Sequence, residues 1–427
     1  MLTAIGLARH IAAGEVSAVE VVRAHLDRIE ETRAINAVVA LNPRALAEAE
    51  AAPEGPLHGV PFTVKDNIAV AGLPMAIGVP ERAGVIAGGD ATVVARLKQA
   101  GAIVLGKTNC PPWAGGIETD NPVYGRTNNP YDLERTPGGS SGGEAAIIAA
   151  GGSACGLGTD SGASIRLPAH FCGLAALKPT TGRVPLTGCV DDEGQLGTLG
   201  DPRTVVGPLA RSVDDVALLY ALTAGPDGRD AGAVPMPRRD PPATIRAAVY
   251  TEGADAETAG VVNAAAAVLD AVEASPPAGG HEITIEVWRS YGGGMDALAL
   301  YRLLRRWDAF RGEMLAFMAR FDVLITPVFP EPARRHGEMN RGGDRTFFTT
   351  PHRLTGAPAA TVRAGTSSTG LPTGVQVIAR PWREDVALEA ARRIENALGG
   401  YSSPRSFSAE SSACSPLEST QSTRSAS

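Results

Sequence analysis

The chain is poor in aromatic residues, which make up 5% of its 427 positions, and it has no Lys/Arg-rich run. Its 39 basic residues against 46 acidic ones give a formal charge of −7. Nothing offers the phosphate footprint of a nucleic-acid protein, so no nucleic-acid partner is expected. Cysteine is sparse as well. Cys110, Cys155, Cys172, Cys189 and Cys414 are odd in number and form no C-x-x-C pair, which argues against a disulfide framework or a zinc site. The histidines are scattered, with no H-E-x-x-H or comparable spacing, so neither a metal nor another cofactor is implied. No run of about 18 apolar residues occurs, and no transmembrane helix is expected. The opening "MLTAIGLARHIAAGEVSAVEVV" lacks a basic stretch followed by a continuous apolar one, so it does not read as a secretory leader. These absences leave a soluble protein of a reducing, cytoplasmic compartment as the expectation.

What is present suits a large core. Hydrophobic residues are 44% of the chain, enough for one big domain or two. Fifty glycines and 32 prolines imply many tight turns and close backbone approaches. Ser17 and Glu20 form a capping box that opens a helix with an apolar stripe at Val19, Val22, Leu26 and Ile29. "FTVKDNIAV" (62–70) predicts a buried strand running into a loop. "ATVVARLKQAG" predicts a helix stopped by Gly101, and "AIVLGKTN" a strand after it. "GEAAIIAAGG" predicts a helix of small residues that lets other backbone pack closely. "RSVDDVALLYALTAG" predicts a helix with an acidic first turn, which suits the helix dipole. "IRAAVYTEG" predicts a strand and "AGVVNAAAAVLDAVEA" (259–274) a helix. "FDVLITPVFPEPA" and "TGVQVIAR" predict late strands, and a last helix runs over 385–398. Such alternation points to an α/β fold. Residues 225–242, rich in Pro, Gly and Asp, are the best candidate for a subdomain boundary. Residues 401–427 are Ser-rich, cannot bury a face and predict a disordered tail, which leaves 1–400 as the folded domain.

Two serine-bearing stretches carry the chemistry. "TPGGSSGG" (136–143) fits the G-x-S-x-G pattern of a hydrolase elbow centred on Ser140, but an elbow needs a strand before the serine. "YDLERTPGG" reads as a loop. No surrounding motif marks His170, His281, His336 or His352 as the base a serine requires. A Ser–Lys arrangement needs no histidine, only a lysine kept neutral by burial or by its neighbours. Lys65 projects from the predicted strand in "PFTVKDNI". The plainer reading, a lysine snorkelling to water or paired with Asp66, is favoured by spacing alone. "GGSSGG" alone reads as a flexible turn and is not a P-loop, since no G-K-[ST] closes it. "GTDSGAS" alone reads as a packing segment.

The order of these pieces changes the odds. "VKD … TPGGSSGGEAA … GTDSGASIRLPAHFCGLAALKPTTGRVP … GPLARSVDD" resembles the amidase signature family. "GEVSAVEVV", "LHGVPFTVKDN", "LGKTN", "YGRTNNPYD", "LTGAPAATV" and "GLPTGVQVIARPWRE" resemble family segments in the same order. The resemblance covers about residues 3–398 and is most specific over 58–215. It implies a single large α/β domain: a central mixed, mostly parallel β-sheet of about eleven strands flanked by helices. It implies Ser164 as nucleophile, Ser140 as a bridging serine preceded by a cis peptide at Gly139–Ser140, and Lys65 as the base. The backbone N–H groups of Ser161, Gly162, Ala163 and Ser164 are implied as the oxyanion hole. Ala163 stands where the family often has Gly, and its methyl would restrict φ > 0 and narrow the approach. Asp160 and Arg166 are expected to brace the loop, with Ser141 in the same network.

The activity implied is hydrolysis of a carboxylic amide to acid and ammonia or amine through an acyl-serine, with no cofactor and a small-molecule amide as partner. Assembly as a homodimer is left open. The rivals are a glutaminase-type subunit of a tRNA-dependent amidotransferase, and an esterase or a carbamate or cyclic-amide hydrolase on the same site. A non-catalytic binding protein is disfavoured because all three catalytic positions are occupied. The expected pocket walls are Cys110–Asn121, Thr187–Gly197 and the helix around "LALYRLLRRWDAF". Trp113 is a wall or a core residue, and Asp191 and Asp192 either face anionic substrates or form a solvated loop.

Overall fold

In a computed structural model the chain is described over residues 2–404, apart from 193, 199–202, 238, 291–292, 340, 342 and 344. Eleven strands form one sheet, and two short ones form a separate ribbon. In chain order they are β1 Val38–Leu41, β2 Pro61–Lys65, β3 Ile103–Thr108, β4 Cys155–Asp160, β5 Ala175–Lys178, β6 Val190–Asp191, β7 Gly194–Gln195, β8 Val205–Ala210, β9 Ala247–Val249, β10 Val272–Glu273, β11 Val323–Pro327, β12 Ala359–Thr366 and β13 Pro372–Ala379. The sheet order is β1-β3-β2-β4-β8-β5-β12-β13-β11-β9-β10, and β6 pairs with β7.

The mixed sheet with flanking helices is as expected. Parallel pairing, expected for most of it, joins β3, β2 and β4 and again β11, β9 and β10. From β4 across to β11 the neighbours pair antiparallel. One cause is local. β12 turns into β13 through a short loop in which Ser367 N–H donates to Leu371 O at 2.7 Å, and so tight a connection permits only antiparallel pairing. Strands β2, β3, β4, β5, β8, β11 and β13 are buried along their whole length, as a sheet covered by helices on both faces requires.

Local signals act as read. Ser17 accepts from Glu20 N at 3.1 Å, and Glu20 Oε2 accepts from Ser17 N at 2.8 Å. The helix Ala18–Glu31 then buries Val22 fully and packs Val19, Leu26 and Ile29 against the main core. Ser212 caps Val213–Thr223 by accepting from Asp215 N at 3.2 Å. One predicted helix is cut short. Asp255 starts it early, at Ala256, and it ends at Ala267. Asp270 adopts φ 49°, and Val272–Glu273 leave the helix to pair with β9 as an edge strand. Nor do residues 225–242 separate two bodies, because β9 and β10 extend the same sheet. Cys110, Cys155, Cys172 and Cys189 are buried thiols; Cys414 lies outside the described residues. Among the described residues no helix is long and apolar enough to cross a membrane.

The beginning of the Ser-rich segment does not behave as a disordered tail. Tyr401 OH donates to Ala149 O at 2.8 Å, the Tyr131 hydroxyl donates to Ser402 O, and Pro404 is buried. The rest of the predicted tail, from 405, lies outside the described residues. Truncation after Gly400 should therefore lower the melting temperature by about 2–4 °C relative to truncation after Pro404, given net hydrogen bonds worth about 1 kcal/mol each. Thermal melts of the two truncated proteins check this.

Candidate active site

The site is assembled where strand ends meet two loops. Strand β4, "CGLGTD", has glycine at 156 and 158, two residues apart and so on one face of the strand. A Cβ at Gly156 would stand 1.8 Å from Glu144 Oε1, and one at Gly158 would stand 2.7 Å from Ser141 Oγ. Only glycine lets the 140–144 segment lie this close to the sheet. Ser141 is the N-cap of the helix Gly142–Ala150 and Glu144 lies in its first turn. Glu144 accepts from the Thr63 hydroxyl of β2 and, at 2.7 Å, from Thr108 Oγ1 of β3. Burial pushes its carboxyl up to about 8. The peptide Gly139–Ser140 is cis.

Lys65, the last residue of β2, is fully buried. Its Nζ lies 2.6 Å from Ser140 Oγ and 2.8 Å from Thr159 Oγ1. Burial pushes its pKa down to about 8, while Cys110, Asp160, Cys189 and Glu144 pull it upward. Pairing with Asp66 does not occur. Asp66 instead faces Lys107, at 3.6 Å, and accepts from Ile77 N at 2.6 Å. Lys65 therefore sits in a desolvated setting that weakens its hold on a proton.

Asp160 and Arg166 organise the loop between them. The guanidinium donates through Nε to Asp160 Oδ2 and through Nη2 to Oδ1, each at 3.0 Å. It also donates to Gly162 O at 2.7 Å and Thr349 O at 2.9 Å. Both side chains are fully buried. Burial pushes the Asp160 carboxyl up, but the Arg166 charge and hydrogen bonds outweigh it and hold it at about 2. The same carboxylate accepts from Gly162 N at 3.0 Å and Ile165 N at 3.1 Å. This corrects the expectation for Gly162: its N–H is spent on Asp160 and does not point to an oxyanion. The N–H groups of Ser161, Ala163 and Ser164 take no acceptor among the described residues.

Ser164 is half-buried and lines a cavity of about 790 Å³. Its carbonyl accepts from Ser141 N at 3.0 Å, which ties the two serine loops together. Ser141 Oγ donates to Thr159 O at 3.3 Å. A direct hydrogen bond from Ser140 to Ser164 is not formed among the described residues. Ala163 does not adopt φ > 0, so the restriction expected from its methyl does not arise; the side chain packs beside Leu167, Phe171 and Phe329. Ser161 Oγ is 2.5 Å from Thr204 Oγ1.

The segment Pro111–Glu118 lines the cavity, with Trp113 in it, and so do Asp191, Asp192 and Leu196. The helix at "LALYRLLRRWDAF" does not. Its place is taken by Trp288, from the helix Gly280–Ser290 before it. No histidine lines the cavity among the described residues. His170 is a buried structural group. Its Nδ1 accepts from Gly374 N at 2.8 Å, and burial pushes its pKa down to about 4. Sequence reading missed Thr159, which shares Lys65 Nζ with Ser140 and donates to Asn67 Oδ1 at 3.3 Å. The only signal was its place beside Asp160 at the end of an apolar strand.

The Amidase family matches residues 20–275 and 294–388, leaving 276–293 outside. An indoleacetamide hydrolase of Bradyrhizobium diazoefficiens is 36% identical over 93% of this chain and 86% of its own length. A glutamyl-tRNA(Gln) amidotransferase subunit from Thermus thermophilus is 35% identical over 91% of this chain and 95% of its own length. The structure of a 6-aminohexanoate cyclic dimer hydrolase with its substrate superposes with TM-score 0.85 at 28% identity, covering 95% of this chain and 99% of that one.

The Asp160–Arg166 pair sets a testable stability. Asp160→Asn leaves Arg166 buried without its counter-charge and should destabilise the fold by about 3–5 kcal/mol in urea unfolding. Because the folded carboxyl titrates below its ordinary range, its contribution is full above pH 4 and is lost as pH falls through about 2. The variant should lack that acid-side loss.

Proposed function

The chain belongs to the amidase family, whose members act on carbon–nitrogen bonds, and we propose that it hydrolyses a carboxylic amide through an acyl-Ser164 intermediate with Lys65 as base and Ser140 as relay. The observation that carries this reading is the buried Lys65 Nζ, 2.6 Å from Ser140 Oγ and with its pKa pushed down to about 8. A neutral amine so placed can accept the Ser140 proton. A hydroxyl donates and accepts at once, so Ser140 in turn accepts the proton of Ser164 as that oxygen bonds to the substrate carbonyl carbon.

The negative charge that gathers on the carbonyl oxygen needs donors already in place. Ser161, Ala163 and Ser164 supply candidate N–H groups, held by a loop that Asp160 and Arg166 fix from behind. The relay then runs backwards. The Lys65 ammonium returns a proton through Ser140 to the leaving nitrogen, and the C–N bond breaks. Water attacks the ester of Ser164, gives its proton to the same relay, and the acid leaves. In this reading Ser140 meets Ser164 once substrate is seated, since catalytic hydrogen bonds often tighten only in the complex. No cofactor enters any step, and the setting is taken as cytoplasmic.

A second reading rests on the likeness to the amidotransferase chain, namely a glutaminase that works with partner chains. Co-purifying chains together with tRNA-dependent glutamine hydrolysis would favour it. Turnover of matched ester, cyclic-amide and linear-amide substrates separates the remaining alternatives.

Ser164→Ala should abolish turnover across an aliphatic, aryl and peptide amide panel, and Lys65→Ala should lower kcat by at least about 10³-fold. Wild-type hydrolysis by Ser164→Ala would end the assignment. The base must be neutral, so kcat/KM should fall about tenfold per pH unit below an apparent pKa near 8. A profile flat from pH 6 to 9 would contradict Lys65 as base.

A further inference from the structure

Aromatic residues are scarce in this chain and only four are tryptophan, yet two of the four, Trp113 and Trp288, line one cavity. Each indole has a guanidinium over its ring, and Arg353 lines the same cavity. Arg353 lies 4.5 Å from the Trp288 ring centroid, and Arg82 lies 5.7 Å from that of Trp113. A planar cation over an indole face orients the ring and limits its freedom. Trp288 is also fixed along its edge. A Cβ at Gly162 would stand 2.9 Å from Trp288 Cζ2 and 3.2 Å from Cη2, so the ring rests on the loop that ends in Ser164. The helix that carries it, Gly280–Ser290, lies within the segment 276–293 that the family match leaves out. It is held to the neighbouring helix Ala297–Met318 by Arg306 and Glu286, 2.6 Å apart.

We propose that Trp288 sets the substrate preference of this cavity, and that the substrate is an amide carrying a flat aromatic ring. The inference rests on the amide-hydrolase reading above. In that reaction the carbonyl carbon becomes bonded to Ser164, so the wall resting on the Ser164 loop is a wall beside the reacting amide. Trp288 offers a ring already immobilised, so a flat ligand stacks on it with little further loss of side-chain freedom. An aliphatic chain buries against the same surface but gains no ring–ring geometry. That extra term, about 0.5–1.5 kcal/mol per aromatic pair, corresponds to about 2- to 12-fold.

The test compares kcat/KM for phenylacetamide and hexanamide in the full chain and in Trp288→Leu and Trp288→Phe. The wild type should favour phenylacetamide by about tenfold. Trp288→Leu, which keeps apolar bulk over Gly162 but has no ring, should bring the ratio close to one. Trp288→Phe should restore most of it. General damage to the loop lowers both rates together and leaves the ratio alone. A wild-type ratio of one or less, or a ratio retained in Trp288→Leu, overturns the proposal. Calorimetric Kd values for the two amides are measured on the same proteins. If the wild type hydrolyses other members of the amide panel but neither of these two, the proposal is overturned. If it hydrolyses no amide of the panel, the hydrolase reading fails and the binding ratio decides: a preference for phenylacetamide lost in Trp288→Leu supports the proposal, and equal Kd values overturn it.

Discussion

One buried ion pair underlies the geometry of the site. Asp160 ends a central strand, Arg166 opens the next helix, and the five residues between them must double back within the protein. Such a tight loop has backbone N–H groups with nowhere to go, and burying them unpaired would be costly. The Asp160 carboxylate takes those of Gly162 and Ile165, while Arg166 takes the Gly162 carbonyl and reaches across to Thr349 and Gln376. The pair therefore fastens the loop both to β13, through Gln376, and to the turn before the helix Thr350–Leu354, through Thr349. It also divides the loop's donors into those used for structure and those that take no acceptor among the described residues.

The same economy of charge runs through the surrounding core. Lys65, Lys107, Lys178, Glu144 and Asp160 are all buried, and burial alone would drive each toward its neutral form. The structure treats them differently. Asp160 has a guanidinium at hydrogen-bond distance and stays charged. Lys65 is surrounded by hydroxyls, which solvate an amine without fixing a proton on it, and its nearest partners are Ser140 and Thr159. Glu144 is likewise bonded to two threonine hydroxyls and is pushed up toward neutrality. A core with matched ion pairs throughout would hold its lysines charged. This one keeps a lysine amine able to take up a proton, where histidine would serve in the more familiar arrangement.

Part of this was legible in the order of the residues. Lys65 ends an apolar strand and the serines lie in turns, but each stretch alone favoured a plainer reading. It was their order along the chain, shared with a known family, that singled out Lys65, Ser140 and Ser164. The Ser17–Glu20 capping box is wholly local and was read directly. What the sequence concealed depends on distance. That Gly162 spends its N–H on Asp160 is decided by a carboxylate whose direction no spacing reports. That Val272 and Glu273 join a sheet edge is decided by β9 lying alongside, against an alanine-rich pattern that favours a helix. Trp288 was passed over for the helix that follows because both are amphipathic, and only packing tells which of two adjacent helices reaches the cavity. Thr159 carries no mark beyond its place beside Asp160 until Lys65 is seen beside it.

The helix Gly280–Ser290 has a consequence of its own. The buried Lys65, Glu144 and Asp160 come from the first half of the chain, whereas one wall of the cavity comes from a separate helix that touches the serine loop through one indole edge. A substitution on that helix can therefore reshape this wall while the Asp160–Arg166 pair and the hydroxyls around Lys65 stay in place.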